Sequence, residues 1–507
     1  MTLLLAFDPF AGLTTNQSIL LVLAVAFGFY MAWNIGANDV ANAMGTSVGS
    51  GALTLKWAII LAAVFEFGGA ALVGSNVSET VRKGIFDPGL ITDPNILAAG
   101  MIAALLAAGV WLQIASYFGW PVSTTHSIVG AVVGFGCVSV GVSQVNWAGE
   151  GGGVAKIAAS WVVSPLLAGS IAYLMFRFIQ KGVLNKPDPV KAAKRVTPVI
   201  VFFMVMILAG MTAFKGLKYF WKSDFVKNAG WLDPAWGKDP VFVFGFAAVL
   251  GLVCAVITWA IVRRIDDVPL DTRQRFEAAY VARSLSKMHK HMARVQASAH
   301  GEVGERADHI LAEVRKLEKL AQKQTDPAAT HSVYRKVEKI FMYLQILSAC
   351  FVAFAHGAND VANAIGPLSA AVQALHGTIG SEATVPTWAL LLGGTGIIIG
   401  LATWGWRVMQ TIGKKITELT PTRGFCAELA AATTILIASL PFAWAKVPIS
   451  TTHTLVGAVL GVGMARGLGA INLNTVRDIA ASWVITIPAG AGLCIVFYYI
   501  LRLVFIH

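Results

Sequence analysis

Charge is what this sequence has least of: 13% of its 507 residues are Asp, Glu, Lys or Arg, against 56% that are hydrophobic. Soluble domains carry about 25% charged residues, so a water-surrounded globule is excluded and a bilayer is the expected solvent. No Lys or Arg precedes Lys56, which removes the basic region of a cleavable signal peptide, and the first apolar run is expected to remain as a span. Cysteine is scarce as well. Cys137, Cys254, Cys350, Cys426 and Cys494 lie in or beside apolar runs at no metal-ligand spacing, where cysteine acts as a small buried hydrophobe without further chemistry.

What the chain has in quantity is apolar runs close to the roughly 20 residues that a membrane-spanning helix needs. They fall at 18–35, 57–75, 96–118, 121–140, 156–178, 198–214, 240–262, 339–357, 386–408, 425–444, 449–465 and 478–505. This predicts an all-α integral membrane protein of about twelve segments, multi-pass and in contact with lipid. The runs starting at 121 and 449 are short enough to be arms of re-entrant hairpins.

The net charge of +12 does not point to nucleic acid, because the basic residues collect between the apolar runs. Lys181, Lys186, Lys191, Lys194 and Arg195 form one cluster, and residues 263–337 carry 15 Lys and Arg against 10 Asp and Glu. The positive-inside rule places both in the cytoplasm. Counting crossings from them puts both termini outside and Arg407, Lys414, Lys415 and Arg423 inside; Arg82 and Lys83 run against this map, and Lys215 to Lys238 becomes a mixed-charge external loop. In the 263–337 segment, Ile310, Leu311, Val314, Leu317 and Leu320 make one apolar stripe, predicting a helical hairpin. Its histidines (His289, His291, His300, His309, His331) belong to a solvated face and not to a metal site.

Two motifs occur twice, in the same order. Gly36 to Gly45 (GANDVANAMG) returns as Gly357 to Gly366 (GANDVANAIG), and Pro121 to His126 (PVSTTH) returns as Pro448 to His453 (PISTTH), at offsets between 321 and 327. The domains read from this are a first repeat over 1–180, a connecting segment over 181–262, the basic loop over 263–337 and a second repeat over 338–507. With five crossings in each copy and two between, corresponding elements are seven crossings apart, so the copies point opposite ways. Inverted repeats of this kind place substrate near the midplane, at the repeat interface, where rocking exposes it to either side.

Asn38, Asp39 and Asn42, with Asn359, Asp360 and Asn363, stand at the ends of apolar runs, where an ionisable residue is expensive to bury and is functional by default. A carboxylate flanked by amide oxygens suits a hard cation such as Na⁺, and the Gly and Ala between them permit close approach and local unwinding. Interhelical hydrogen bonding with small-residue packing is the bland alternative. The second motif reads as a helix start with a Ser or Thr cap. Its free N–H groups and the hydroxyls of Ser123, Thr124, Thr125, Ser450, Thr451 and Thr452 suit a tetrahedral oxyanion; an ordinary capped helix is the alternative. His126 and His453 fall one turn inside, as structural donors, and Glu66 and Glu428 are further ion-path residues, while Glu79 is as readily interfacial. By the offset of the second motif, Glu428 aligns with Met101.

At these doubled motifs the chain resembles the inorganic phosphate transporter family. The stretches GTSVGSG at 45–51 and VSETVRKG at 77–84 look closer to its sodium-coupled members than to the enterobacterial proton-coupled ones. The resemblance covers both halves and implies secondary active phosphate uptake, twelve segments in inverted repeats, and a homodimer. It assigns ion and phosphate roles to Asp39, Asn42, Glu66, Ser123, Thr124 and Thr125, and to Asp360, Asn363, Glu428, Ser450, Thr451 and Thr452. No cofactor is implied beyond phosphate and the coupling ion. Proton coupling and another oxyanion such as sulfate stay open, as do a passive pore and an intramembrane hydrolase built on Ser123, His126 and Asp39.

Overall fold

The computed structural model describes residues 10–73, 85–149, 153–211, 239–268, 270–323, 327–377, 386–439 and 450–506. Glu79, Arg82, Lys83, the 215–238 loop, Pro448 and Ile449 lie outside them.

All regular structure among the described residues is helical. In chain order the α-helices are α1 (Thr15–Asn38), α2 (Val40–Gly49), α3 (Leu55–Val73), α4 (Pro94–Phe118), α5 (Thr124–Ser139), α6 (Gly153–Ile179), α7 (Pro189–Met211), α8 (Pro240–Arg263), α9 (Leu270–Ser298), α10 (Glu302–Lys323), α11 (Pro327–Leu375), α12 (Thr387–Gln410), α13 (Pro421–Ser439), α14 (Thr451–Arg466) and α15 (Leu473–Phe505). Among the described residues each of the twelve apolar runs falls mainly on a helix, and eight stretches are long and apolar enough to cross a membrane. The helices over the runs at 121 and 449 have only 16 residues each, about 24 Å at 1.5 Å per residue and less than the roughly 30 Å hydrocarbon core.

Local chemistry sets the ends. Thr14 and Gln17 form a reciprocal capping box at the start of α1. Asp93 caps α4, Pro94 occupies its first position, and Gly119 ends it at φ 69°, in the left-handed region that a Cβ disfavours.

The chain divides into two compact units. One comprises Met1–Met175, Ile207–Ala247 and Gln345–His507. Within it helices from the two sequence halves pack on one another. α1 packs along α12 and α4, and α3 also packs on α12; α5 lies on α15 and α4. Glycine makes the crossings close. A Cβ on Gly36 would lie 1.9 Å from the Ile397 carbonyl oxygen, and one on Gly400 would lie 1.7 Å from that of Trp33. α4 is apolar all round and buried along most of its length, as expected for a central helix.

The other unit comprises Phe176–Met206 and Ala248–Leu344. Here α9 and α10 pack on each other across the Ala299–Gly301 turn, burying Ala282, Ala307, Leu311 and Val314. His289 Nδ1 is 2.8 Å from Glu318 Oε2, and this bond holds the Glu318 carboxyl below its ordinary range. Lys194 Nζ donates to Asp267 at 2.6 Å and lowers that carboxyl in the same way.

Candidate functional site

The two GAND segments differ in backbone. In the first, α1 stops at Asn38 and Asp39 (φ −89°, ψ −24°) links it to α2; in the second, α11 runs through residues 357–366 without a break. Asn38 turns toward the segment preceding α5: its Nδ2 donates to Ser116 Oγ at 3.0 Å and to the Trp120 carbonyl at 3.1 Å, and its Oδ1 accepts from the Val122 N–H at 3.1 Å. Both ends of that amide are engaged there. Asn359 is half-buried on α11.

The short helices begin in the manner their sequence implies. Ser123 Oγ accepts from the His126 N–H at 3.3 Å, and Ser450 Oγ from the His453 N–H at 3.2 Å. The first-turn N–H groups of Thr124 and Thr125, and of Thr451 and Thr452, therefore have no acceptor within their own helix.

These helix starts and the GAND carboxylates meet across the two halves. Asp39 Oδ2 accepts from Thr124 Oγ1 at 2.6 Å, while its Oδ1 accepts from Thr452 Oγ1 at 2.7 Å and from Asn42 Nδ2 at 3.0 Å. Asn42 Nδ2 also lies 2.9 Å from Thr452 Oγ1. In the other half, Thr451 Oγ1 is 3.3 Å from Asp360 Oδ2, and Asn363 Nδ2 reaches Thr124 Oγ1 at 3.1 Å and Thr125 Oγ1 at 3.2 Å. Residues more than 400 positions apart thus share one buried cluster. The hydroxyls of Thr124, Thr451 and Thr452 lean on carboxylates, which leaves the first-turn backbone N–H groups as the donors an anion could use.

His356 completes the cluster, and the motif reading passed over it. Its Nδ1 lies 2.9 Å from Glu66 Oε2, and its Nε2 lies 2.5 Å from Asp360 Oδ2 and 4.0 Å from Asp39 Oδ2. Its position immediately before Gly357 was the available signal, but the first motif has Ile35 there, so the repeat offers no histidine to compare. Asp39, His356 and Asp360 place ligand atoms within 4.8 Å of one another. Two buried acceptor oxygens, Asn42 Oδ1 and Glu66 Oε1, have no hydrogen-bond partner among the described residues. Unpartnered buried acceptors next to carboxylates are what a hard cation would satisfy.

Glu428 belongs to a second cluster that shares none of those partners. Its Oε1 accepts from Thr46 Oγ1 at 2.5 Å, Ser47 Oγ at 2.8 Å and Gln345 Nε2 at 3.3 Å, and its Oε2 accepts from Ser348. Thr46 and Ser47 directly follow the first GAND segment; Gln345 and Ser348 precede the second on α11. Met101, its aligned counterpart, is buried on α4. His126 and His453 are ring-packed: His453 Nδ1 approaches the Trp161 carbonyl at 3.4 Å, whereas His126 Nε2 has no partner among the described residues.

Residues 35–494 match the sequence profile of the phosphate transporter family. The chain is 42% identical to inorganic phosphate transporter 2-1, chloroplastic, of Arabidopsis thaliana, over 96% of this chain and 73% of that protein. It is 43% identical to the "Putative phosphate permease" of Chlamydia trachomatis serovar D, over 96% and 99%. Among solved structures, "The sodium-dependent phosphate transporter" aligns with a TM-score of 0.69 at 34% identity, covering 96% of this chain and 100% of that one.

Proposed function

From the premise that this chain belongs to the phosphate transporter family, a family of multi-pass membrane transporters and not of enzymes, we propose that it carries inorganic phosphate by secondary active symport with a cation, Na⁺ in the first instance. The observation that carries this reading is the convergence on Asp39 of Thr124 from one half and Thr452 from the other. One position offers anionic oxygens to a cation and, beside them, helix-start N–H donors to an oxyanion.

In this reading Asp39, Asn42, Glu66, Asp360 and Asn363 supply oxygen ligands for Na⁺. Phosphate docks on the first turns of α5 and α14. The cation offsets the repulsion that phosphate would meet from the carboxylates, so neither ion occupies the site well alone, and that dependence is the coupling. Support comes from the orphaned oxygens of Asn42 and Glu66 and from the sodium-dependent structural relative. Twelve segments in two inverted repeats, working by alternating access, are part of the proposal. The packing of α1 on α12 and of α5 on α15 supports it, because rocking one packed pair against the other would move the shared site between faces. A homodimer in lipid belongs to the same reading.

The test is uptake of labelled phosphate into proteoliposomes, in NaCl against choline chloride, with sulfate as competitor. Accumulation above equilibrium in NaCl alone, undiminished by excess sulfate, is expected. Sulfate competing on equal terms, or equal uptake in choline, counts against it. One observation favours a second reading: His356 lies between two carboxylates, Glu66 and Asp360, and could carry a coupling proton. Proton coupling would appear as uptake in choline that grows with an inward proton gradient.

A further inference from the structure

The segment Trp120–Val122 leads into the Ser123 cap of α5, and side chains hold its backbone almost completely. Asn38 takes the Trp120 carbonyl and the Val122 N–H. Thr452 Oγ1, bonded chiefly to Asp39, also lies 3.2 Å from the Val122 carbonyl. Proline has no N–H and the Trp120 N–H donates to the Ala115 carbonyl at 2.9 Å, so one polar group remains, the Pro121 carbonyl. It accepts from Trp483 Nε1 at 2.9 Å.

Trp483 comes from α15, in the opposite half of the sequence. Its indole stacks on the His453 imidazole, with centroids 3.6 Å apart and planes at 19°. His453 sits in the first turn of α14, the other anion-facing helix. The column continues: His126 meets His453 edge-on at 4.6 Å and Trp161 at 4.6 Å. His453 Nδ1 also faces the Trp161 carbonyl at 3.4 Å, a group that Pro165, four residues on in α6, cannot engage for lack of an N–H. One indole therefore touches the approach to α5 with its nitrogen and the first turn of α14 with its face.

We propose that Trp483 is a positioning residue for phosphate: by holding the Pro121 carbonyl it orients the N–H groups of Thr124 and Thr125, and by stacking on His453 it keeps the start of α14 in register with them. This rests on the phosphate-transport reading above. Asn38 still holds the N–H of the same Pro121–Val122 peptide, so loss of the indole N–H loosens that peptide without dismantling the loop.

Trp111 supplies the control. Its Nε1 donates to Thr486 Oγ1 at 3.1 Å, a buried indole bond to the same helix, α15, that touches neither anion-facing segment. In proteoliposomes, Trp483→Phe is expected to raise the phosphate KM about tenfold, the effect of one unsatisfied buried acceptor. The maximal rate should stay within about twofold, the half-saturating cation concentration should not change, and Trp111→Phe should leave KM alone. Replacing Trp483 by 3-benzothienylalanine, which keeps the bicyclic ring and swaps N–H for sulfur, should reproduce the rise and decides the matter if Trp483→Phe folds poorly. Amide hydrogen exchange over residues 122–126 provides a readout independent of transport and should accelerate in both Trp483 variants but not in Trp111→Phe. A phosphate KM at the wild-type value in the benzothienyl variant, or an equal rise in Trp111→Phe, overturns the proposal. Wild-type protein that takes up no phosphate, while exchange over 122–126 still responds to the Trp483 variants, overturns the transport reading and leaves the positioning of the loop standing.

Discussion

His356 and Asp360, one turn apart on α11, approach to 2.5 Å between Nε2 and Oδ2, while the other ring nitrogen of His356 reaches Glu66 on α3 at 2.9 Å. Nδ1 is within hydrogen-bond distance of Glu66, whereas Nε2 lies close to carboxylate oxygens without a hydrogen-bond partner among the described residues. The imidazole thereby competes for the oxygens that a coupling cation would use. His356→Gln, which keeps a polar side chain and removes the titrating ring, is expected to change the sodium concentration for half-maximal uptake about tenfold. Measuring phosphate uptake against sodium at fixed pH, with an external pH series in choline, checks this. An unchanged sodium dependence would show that the ring takes no part in cation binding.

Asp39 collects two hydroxyl donors and an amide donor in the buried cluster. Removing its charge leaves those donors facing an amide, a loss on the scale of about 3–5 kcal/mol for a broken buried pair. Asp39→Asn is expected to lower sodium-dependent uptake about a hundredfold or more, and Asp360→Asn similarly, with normal amounts of protein in the membrane. Transport at the wild-type level in both variants would sink the cation assignment.

The Thr452 hydroxyl joins the second half to Asp39 of the first at 2.7 Å. Thr452→Val keeps the shape and deletes the donor, at a cost of about 1–3 kcal/mol. Transport kinetics of Thr452→Val, Thr124→Val and the double variant should be non-additive, because both hydroxyls serve one carboxylate. Strict additivity would mean that the two halves act independently at this site.

The α1–α12 crossing leaves no room for a methyl group. Gly400→Ala would place a Cβ 1.7 Å from the Trp33 carbonyl oxygen, and Gly36→Ala one 1.9 Å from that of Ile397. Each is expected to destabilise by about 1–3 kcal/mol or more, seen as a lower unfolding temperature in detergent. Gly492→Ala on α15, with nothing within 4 Å of the new Cβ, should not.

Much of this was legible in one dimension. The run lengths place helices because a backbone in hydrocarbon must satisfy its own hydrogen bonds, and the doubled motifs mark Asp39, Asp360 and the two serine caps because charge and capping chemistry are written in single residues. Partners outside the motifs were not legible. His356 has no counterpart in the first copy, and Thr46, Ser47, Gln345 and Ser348 are ordinary residues until Glu428 is set among them. Nor does spacing distinguish Asn38, which braces a loop, from Asn42, whose oxygen has no partner among the described residues.

The sequence by itself determined that the chain lives in a membrane, that it is helical, and that two copies of one set of polar motifs are present, because hydrophobicity, capping and the cost of buried charge act locally along the chain. Tertiary structure decided that those copies interlock. Thr452 bonds Asp39 across 413 positions, His356 lies between Glu66 and Asp360, and Trp483 on α15 holds the segment that leads into α5. Such pairings depend on which helices cross and how closely, and that is set by glycine contacts between backbones far apart in the chain, which no local pattern records.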